Sequence, residues 1–218
     1  MQTVMMLKNI SMRAGIARGG LAAIATLMLA TPALAHHPFG GEAPKNVFQG
    51  LLSGVGHPII GLDHFAFVIA VGLLAAVLRR GITVPISFLL AALAGTGLHL
   101  AGLNLPASEL VISASVLLFG ILAVTHRRLN ILAAIALTAL AGIFHGYAYG
   151  EAIIGAEPMP IVAYLVGFTV IQGAIAYAAY GLSLRALNQN PAAGMTSLRQ
   201  AGFVICGAGA AFLGSLLV

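Results

Sequence analysis

HPIIGLDHFAFVIAVGLLAAVLRR, residues 57–80, sets two histidines and an aspartate at one end of an oily run and two arginines at the other. From Ile59 to Leu78 the only charged or strongly polar side chains are Asp63 and His64. That stretch matches the ~20 residues a helix needs to cross the hydrocarbon core of a bilayer. It is too long for a buried strand and too poor in charge for a helix facing water. Read this way, the chain belongs in a membrane.

The composition agrees. The 218 residues are 60% hydrophobic and 7% charged, with a mean hydropathy of +1.04. A water-soluble domain carries roughly 25% charged residues. The formal charge of +5 comes from ten basic residues scattered between apolar blocks, so it makes no nucleic-acid footprint. Cys206 is the single cysteine and lies in an apolar run, where it is a small buried filler and cannot form an intrachain disulfide.

Around residues 57–80 the same pattern repeats. Spans are expected at about 59–78, 82–103, 108–125, 130–149, 160–183 and 200–217, with a short apolar lead-in at 47–56. Residues 1–35 read as a secretory signal: Lys8, Arg13 and Arg18, then GLAAIATLMLA, then Pro32 and the small-x-small site ALA at 33–35. Cleavage there leaves residues 36–218 as one domain. The expected fold is all-α: a polytopic membrane bundle of about six transmembrane helices after a cleaved signal peptide. Arg79, Arg80, Arg127, Arg128, Arg185 and Arg199 fall in alternate connections, which the positive-inside rule assigns to the cytoplasm. The signal peptide independently places the mature N-terminus outside, so a bacterial inner-membrane protein with both termini outside the cytoplasm is expected.

This orientation sorts the chemistry. All five acids, Glu42, Asp63, Glu109, Glu151 and Glu157, fall at or near the outer ends of spans. So do His36, His37, His57, His64, His99 and His145; only His126 lies with the arginines. Ionisable groups at membrane depth are costly and usually functional.

Three constellations follow. In HPIIGLDH, His57 and His64 share a helical face but would lie ~10.5 Å apart along a straight axis. Pro58, suited to a first helical turn, and Gly61, suited to a bend, would let His57 fold over toward His64 and Asp63. The plainer reading makes Asp63 a buried acceptor orienting one histidine, with no metal. In GIFHGYAYGE (142–151), Gly142, Gly146 and Gly150 form a smooth stripe for close helix packing. Close packing would bring His145, with Tyr149 on the same face, to the helix carrying His57, Asp63 and His64; Glu151 ends the span. His99 is a lone histidine late in the second span, either a satisfied core residue or a further ligand or relay. HHPFGG at 36–41 offers two imidazoles and a new α-amine, either a loose metal scavenger or a plain tail. Glu109 at a helix start needs no more than the helix dipole to explain it.

Imidazole with carboxylate and no thiolate suits Ni²⁺, Co²⁺, Zn²⁺ or Cu²⁺ rather than Mg²⁺ or Ca²⁺. Outside the signal region only Met159 and Met195 remain, so a methionine path for Cu(I) is not expected. No ATP-binding loop, Ser-nucleophile motif or HExxH occurs. A membrane protein that handles a metal ion or protons and is not an enzyme is expected, with no tightly bound cofactor, a divalent ion and the lipid bilayer as partners, and homo-oligomerisation left open. Two other readings stay open: an intramembrane zinc-dependent hydrolase, and a proton-coupled carrier of an organic solute.

HPIIGLDH at 57–64, following a signal peptide, resembles the first-span signature H-x5-D-H of the HupE/UreJ family of nickel and cobalt permeases. FHGYAYGE resembles that family's second signature, F-H-G-x-A-H-G-x-E, and GAEPMPIVAYLVGF at 155–168 has its flavour. The resemblance spans nearly the whole mature chain. It implies secondary, energy-independent uptake of Ni²⁺ or Co²⁺, often serving hydrogenase or urease assembly, and carries a metal role onto His57, Asp63, His64 and His145. Two positions depart: Tyr149 stands where the family has its second histidine, and Ala152 where it has glutamate, with Glu151 one position earlier. Phenol is a poor ligand at neutral pH, with a pKa near ~10.

Overall fold

A computed structural model describes residues 42–79, 82–125 and 129–217. The signal segment, His36, His37, Arg80, His126, Arg127 and Arg128 lie outside the described residues. Among those described there are seven α-helices and no strand. They are α1 (Val47–Ile60), α2 (Leu62–Leu78), α3 (Thr83–Leu100), α4 (Ser108–Thr125), α5 (Ile131–Glu151), α6 (Pro158–Gln189) and α7 (Pro191–Ser215).

Short-range chemistry sets the helix ends. Asn46 caps α1 by accepting the Gln49 N–H at 2.9 Å, while the Gln49 side chain accepts the Lys45 N–H at 2.8 Å. The pair answers two backbone donors that the first helical turn leaves without partners. Asn130 and Asn190 cap α5 and α7 in the same way, and Asn190 also closes α6. Pro158 and Pro191 open their helices, where the missing N–H costs nothing.

The lead-in expected at 47–56 is a helix of its own, and the break falls at Gly61 rather than at a helix start on Pro58. Pro58 sits inside the last turn of α1, and Gly61 (φ −70°, ψ 94°) turns the chain so that α1 and α2 meet at 77°. Proline supplies no N–H to extend the ladder, and glycine has no Cβ to resist the corner.

Four helices, α3, α4, α5 and α6, are long and apolar enough to cross a membrane, or five spans if the bent α1–α2 pair counts as one. The sixth expected span falls in α7. Its 25 residues are ample in length, but Thr196, Ser197, Arg199 and Gln200 occupy its first half, and its apolar part begins only after them.

Helix α2 is the axis. It touches all six other helices, and α6, α3, α5, α4 and α7 form a closed ring about it, each in contact with the next. Helix α1 lies along α6. Phe67, Val68, Ala70, Val71, Leu74 and Ala75 of α2 are accordingly buried. The outside is the reverse of a soluble protein: Leu90 and Leu132 are 63% and 70% exposed, a surface suited to lipid.

Glycine makes the close pairs possible. A Cβ at Gly146 would strike the Ala92 carbonyl, and one at Gly142 would sit 3.0 Å from Ala91 Cβ. The stripe Gly142–Gly146–Gly150 therefore packs α5 on α3, not on the helix that carries Asp63 and His64. Gly54 seats α1 against the Tyr164 carbonyl of α6, and Gly209 seats α7 on Leu117 of α4.

Candidate metal centre

The 77° corner turns sequence spacing into a site. Seven residues along one straight helix would separate His57 from His64 by ~10.5 Å. Across the corner their ring centroids are 5.7 Å apart. Both are buried, with 3% and 2% of their surface exposed, whereas Ile59, Ile60 and Leu62 point outward. His145 of α5 is fully buried and reaches the same place between α2 and α4.

The closest contact is between two imidazoles. His64 Nδ1 and His145 Nδ1 lie 2.8 Å apart. The tautomers follow from the neighbours. Ser115 Oγ of α4 donates its single hydrogen to the Ile112 carbonyl at 2.7 Å, so toward His145 Nε2, at 3.0 Å, it accepts. His145 thus carries its proton on Nε2, and its bare Nδ1 accepts from His64 Nδ1–H. A parallel chain holds His57. Tyr164 donates its hydroxyl hydrogen to the Tyr149 carbonyl at 2.9 Å and accepts from His57 Nδ1–H at 3.0 Å. That leaves Nε2 as the acceptor nitrogen of His57. A partner that orients each ring and fixes its tautomer is the usual surrounding of a metal-ligating histidine.

The spacing fits the chemistry. Imidazole nitrogens bind divalent transition metals at about 2.0–2.1 Å, so two ligands at right angles on one ion stand ~2.9 Å apart. His64 and His145 already have that separation; a cation bound by both would sit off the line between them and displace the hydrogen that now bridges the rings. Asp63, 9% exposed, opens α2 and accepts the His64 N–H on Oδ1 at 2.8 Å. Its negative charge suits a helix N-terminus and the approach of a cation alike.

Tyr149 completes the inner wall. Its ring lies 4.4 Å from His64 and 5.0 Å from His57, and it packs on Phe168 at 5.3 Å. Among the described residues its hydroxyl has no hydrogen-bond partner. Phe67 stacks on His145 at 4.1 Å and meets Phe119 at 4.8 Å and Phe88 at 5.5 Å. These three rings, from α2, α4 and α3, close the side of the site nearer Arg79.

Four expected residues, His57, Asp63, His64 and His145, thus gather at one place. As the side chains stand, no three His, Cys, Asp or Glu groups among the described residues are arranged around one ion point. The site is an imidazole pair with a third ring one step away. Two further candidates, His99 and Glu151, lie elsewhere. His99 packs on Tyr147 at 4.3 Å, beneath Gly150 and on the α3 side of α5. Glu151 ends α5 and is exposed. At the same end an open cleft is lined by Glu42, Lys45 and Glu157, where Lys45 donates to Glu42 and holds its carboxyl below the usual carboxylate range.

Reading residues alone missed Ser115 and Tyr164. Each is a hydroxyl in an apolar run, which is a weak signal because serine and tyrosine also occur as neutral packing.

The description "HupE / UreJ protein" matches residues 24–212. A curated relative named Protein HupE, from Rhizobium leguminosarum bv. viciae, is 29% identical over 187 residues, covering 85% of this chain and 93% of its own length. No solved structure matches.

Proposed function

The chain belongs to the HupE/UreJ family, and on that premise we propose that it is a secondary permease that brings a divalent transition-metal ion, Ni²⁺ or Co²⁺, across a bacterial inner membrane into the cytoplasm. The observation that carries this reading is the His64–His145 pair, two buried imidazole nitrogens 2.8 Å apart with at least one ring held in its ligating tautomer. Imidazoles in an oily interior serve a cation of borderline softness, and neutral nitrogen donors without thiolate select against Mg²⁺, Ca²⁺ and Cu(I).

The chain's own groups divide the work. The histidine end is placed outward, the orientation that the positive-inside rule favours for these arginines. Asp63 draws the ion to the corner. His145, held by Ser115, offers Nδ1; His64 changes tautomer, its proton moving from Nδ1 to Nε2, and offers the same atom. His57 lies one ring width away and joins as the ion sheds water. Two or three neutral donors make a weak site, which suits an ion that must leave again. The three phenylalanines keep water from following.

Radiolabelled nickel and cobalt uptake into cells producing the chain tests the reading. Accumulation above vector-only cells is expected, abolished in His64→Ala at equal membrane levels. Uptake no greater than the vector control contradicts it.

A further inference from the structure

Past the histidines, the bundle holds few polar atoms. Among the described residues, Tyr149 Oη, Thr138 Oγ1 and Gln172 Oε1 are buried side-chain oxygens without a hydrogen-bond partner. An unanswered buried polar atom is costly and calls for an explanation. Tyr149 belongs to the site already described. Thr138 can turn its hydroxyl to its own helix. Gln172 has no such escape: its Nε2 donates to the Phe168 carbonyl at 3.1 Å, which fixes the amide and leaves Oε1 in place.

Gln172 lies in line with the site. Tyr164, Phe168 and Gln172 are spaced by four along α6 and share one face. Tyr164 holds His57, and Phe168 packs on Tyr149. Gln172 therefore stands ~12 Å beyond Tyr164 along the helix. The depth is confirmed from α2: Gly72, eight residues past His64, meets Ala176, one turn beyond Gln172. The amide is fully buried.

There is also room. At Gly50, Gly54, Gly95, Gly146 and Gly209 a Cβ would be driven into neighbouring backbone. At Gly173, buried beside Gln172, it would meet only Leu89 Cδ1, at 3.6 Å.

We propose that Gln172 Oε1 is the first station on the inward leg of the route, a neutral oxygen donor that receives the divalent cation from the histidines. This inference rests on the permease reading. A neutral amide oxygen holds such ions less tightly than imidazole, so the ion moves on rather than staying.

The test compares wild type, Gln172→Met and Gly173→Ala in proteoliposomes, measuring nickel uptake, with nickel binding to each detergent-solubilised protein by titration calorimetry. Methionine keeps the length of glutamine and removes the oxygen. Gln172→Met is expected to bind nickel within about threefold of wild type, to melt no lower, and to take it up about tenfold more slowly. Gly173→Ala, which adds a methyl beside Gln172 at ordinary contact distance and leaves the oxygen in place, is the control and is expected to bind and take up nickel as wild type does. Uptake by Gln172→Met within about threefold of wild type overturns the station, and so does a loss of binding that matches the loss of uptake. If wild type itself carries no nickel, the permease reading falls and the station with it; if wild type carries nickel and both variants match it, only the station falls.

Discussion

His64 and His145, eighty-one positions apart in the chain, meet nitrogen to nitrogen at 2.8 Å. One sits in the first turn of the central helix and the other near the end of a ring helix. The two imidazoles share one hydrogen there, and that contact orders the rest of the site. Ser115 decides which nitrogen of His145 is bare, the corner at Gly61 decides how near His57 comes, and Phe67 closes the stack.

Ser115 acts through the tautomer of His145. Ser115→Ala removes the acceptor of the Nε2–H and lets the ring turn or move its proton to Nδ1. Cobalt affinity of the purified protein should fall about 10–100-fold, the usual cost of losing an outer partner of a ligating histidine. The melting temperature should fall as well, because the buried His145 Nε2–H loses its acceptor, at about 1–3 kcal/mol. Calorimetric titration and a thermal melt on the same preparation read both.

Tyr164 ties three elements together: its hydroxyl joins His57 of α1 to the backbone of Tyr149 on α5. Tyr164→Phe leaves a buried carbonyl and an imidazole N–H unanswered, at about 1–3 kcal/mol each. A lower melting temperature and weaker nickel binding are expected together. The loss of stability should exceed that of Ser115→Ala, because two buried groups rather than one lose their partner.

Glycine positions separate packing from chemistry. Gly146→Ala forces a methyl into the Ala92 carbonyl across the α3–α5 contact. It should destabilise by about 1–3 kcal/mol or more, as overpacking does, without touching a ligand. Gly97 on α3 has open space around it. Gly97→Ala should instead stabilise, by up to ~1 kcal/mol of helix propensity. Thermal unfolding in detergent compares the two.

The parts that could be read from residues alone were those where physics leaves few choices. An oily run with a histidine and an aspartate inside it is expensive, so HPIIGLDH and FHGYAYGE announce themselves. The helical fold follows from the same runs. The corner was harder to place: Pro58 and Gly61 both permit a bend, and only the packing of Gly50 and Gly54 on α6 extends α1 through Pro58 and leaves the turn to Gly61. The stripe at Gly142, Gly146 and Gly150 promises close contact but is equally smooth toward any neighbour. Small residues at Ala91 and Ala92 bring α3 there. Ser115 and Tyr164 are separated from their histidines by 30 and 107 positions. Local pattern carries no trace of such contacts, and only the folded ring around α2 makes them.

The central claim is that His64 and His145 hold one cation between them. Equilibrium binding of Ni²⁺ to purified wild type, His64→Ala, His145→Ala and the double variant tests it most directly. Ligands of a single ion are coupled, so their losses do not add. The account predicts that either single substitution weakens binding at least ~100-fold, about 2.7 kcal/mol, and that the double variant is no worse than either alone. Single variants that bind as wild type does, or losses that sum as for two separate sites, contradict it.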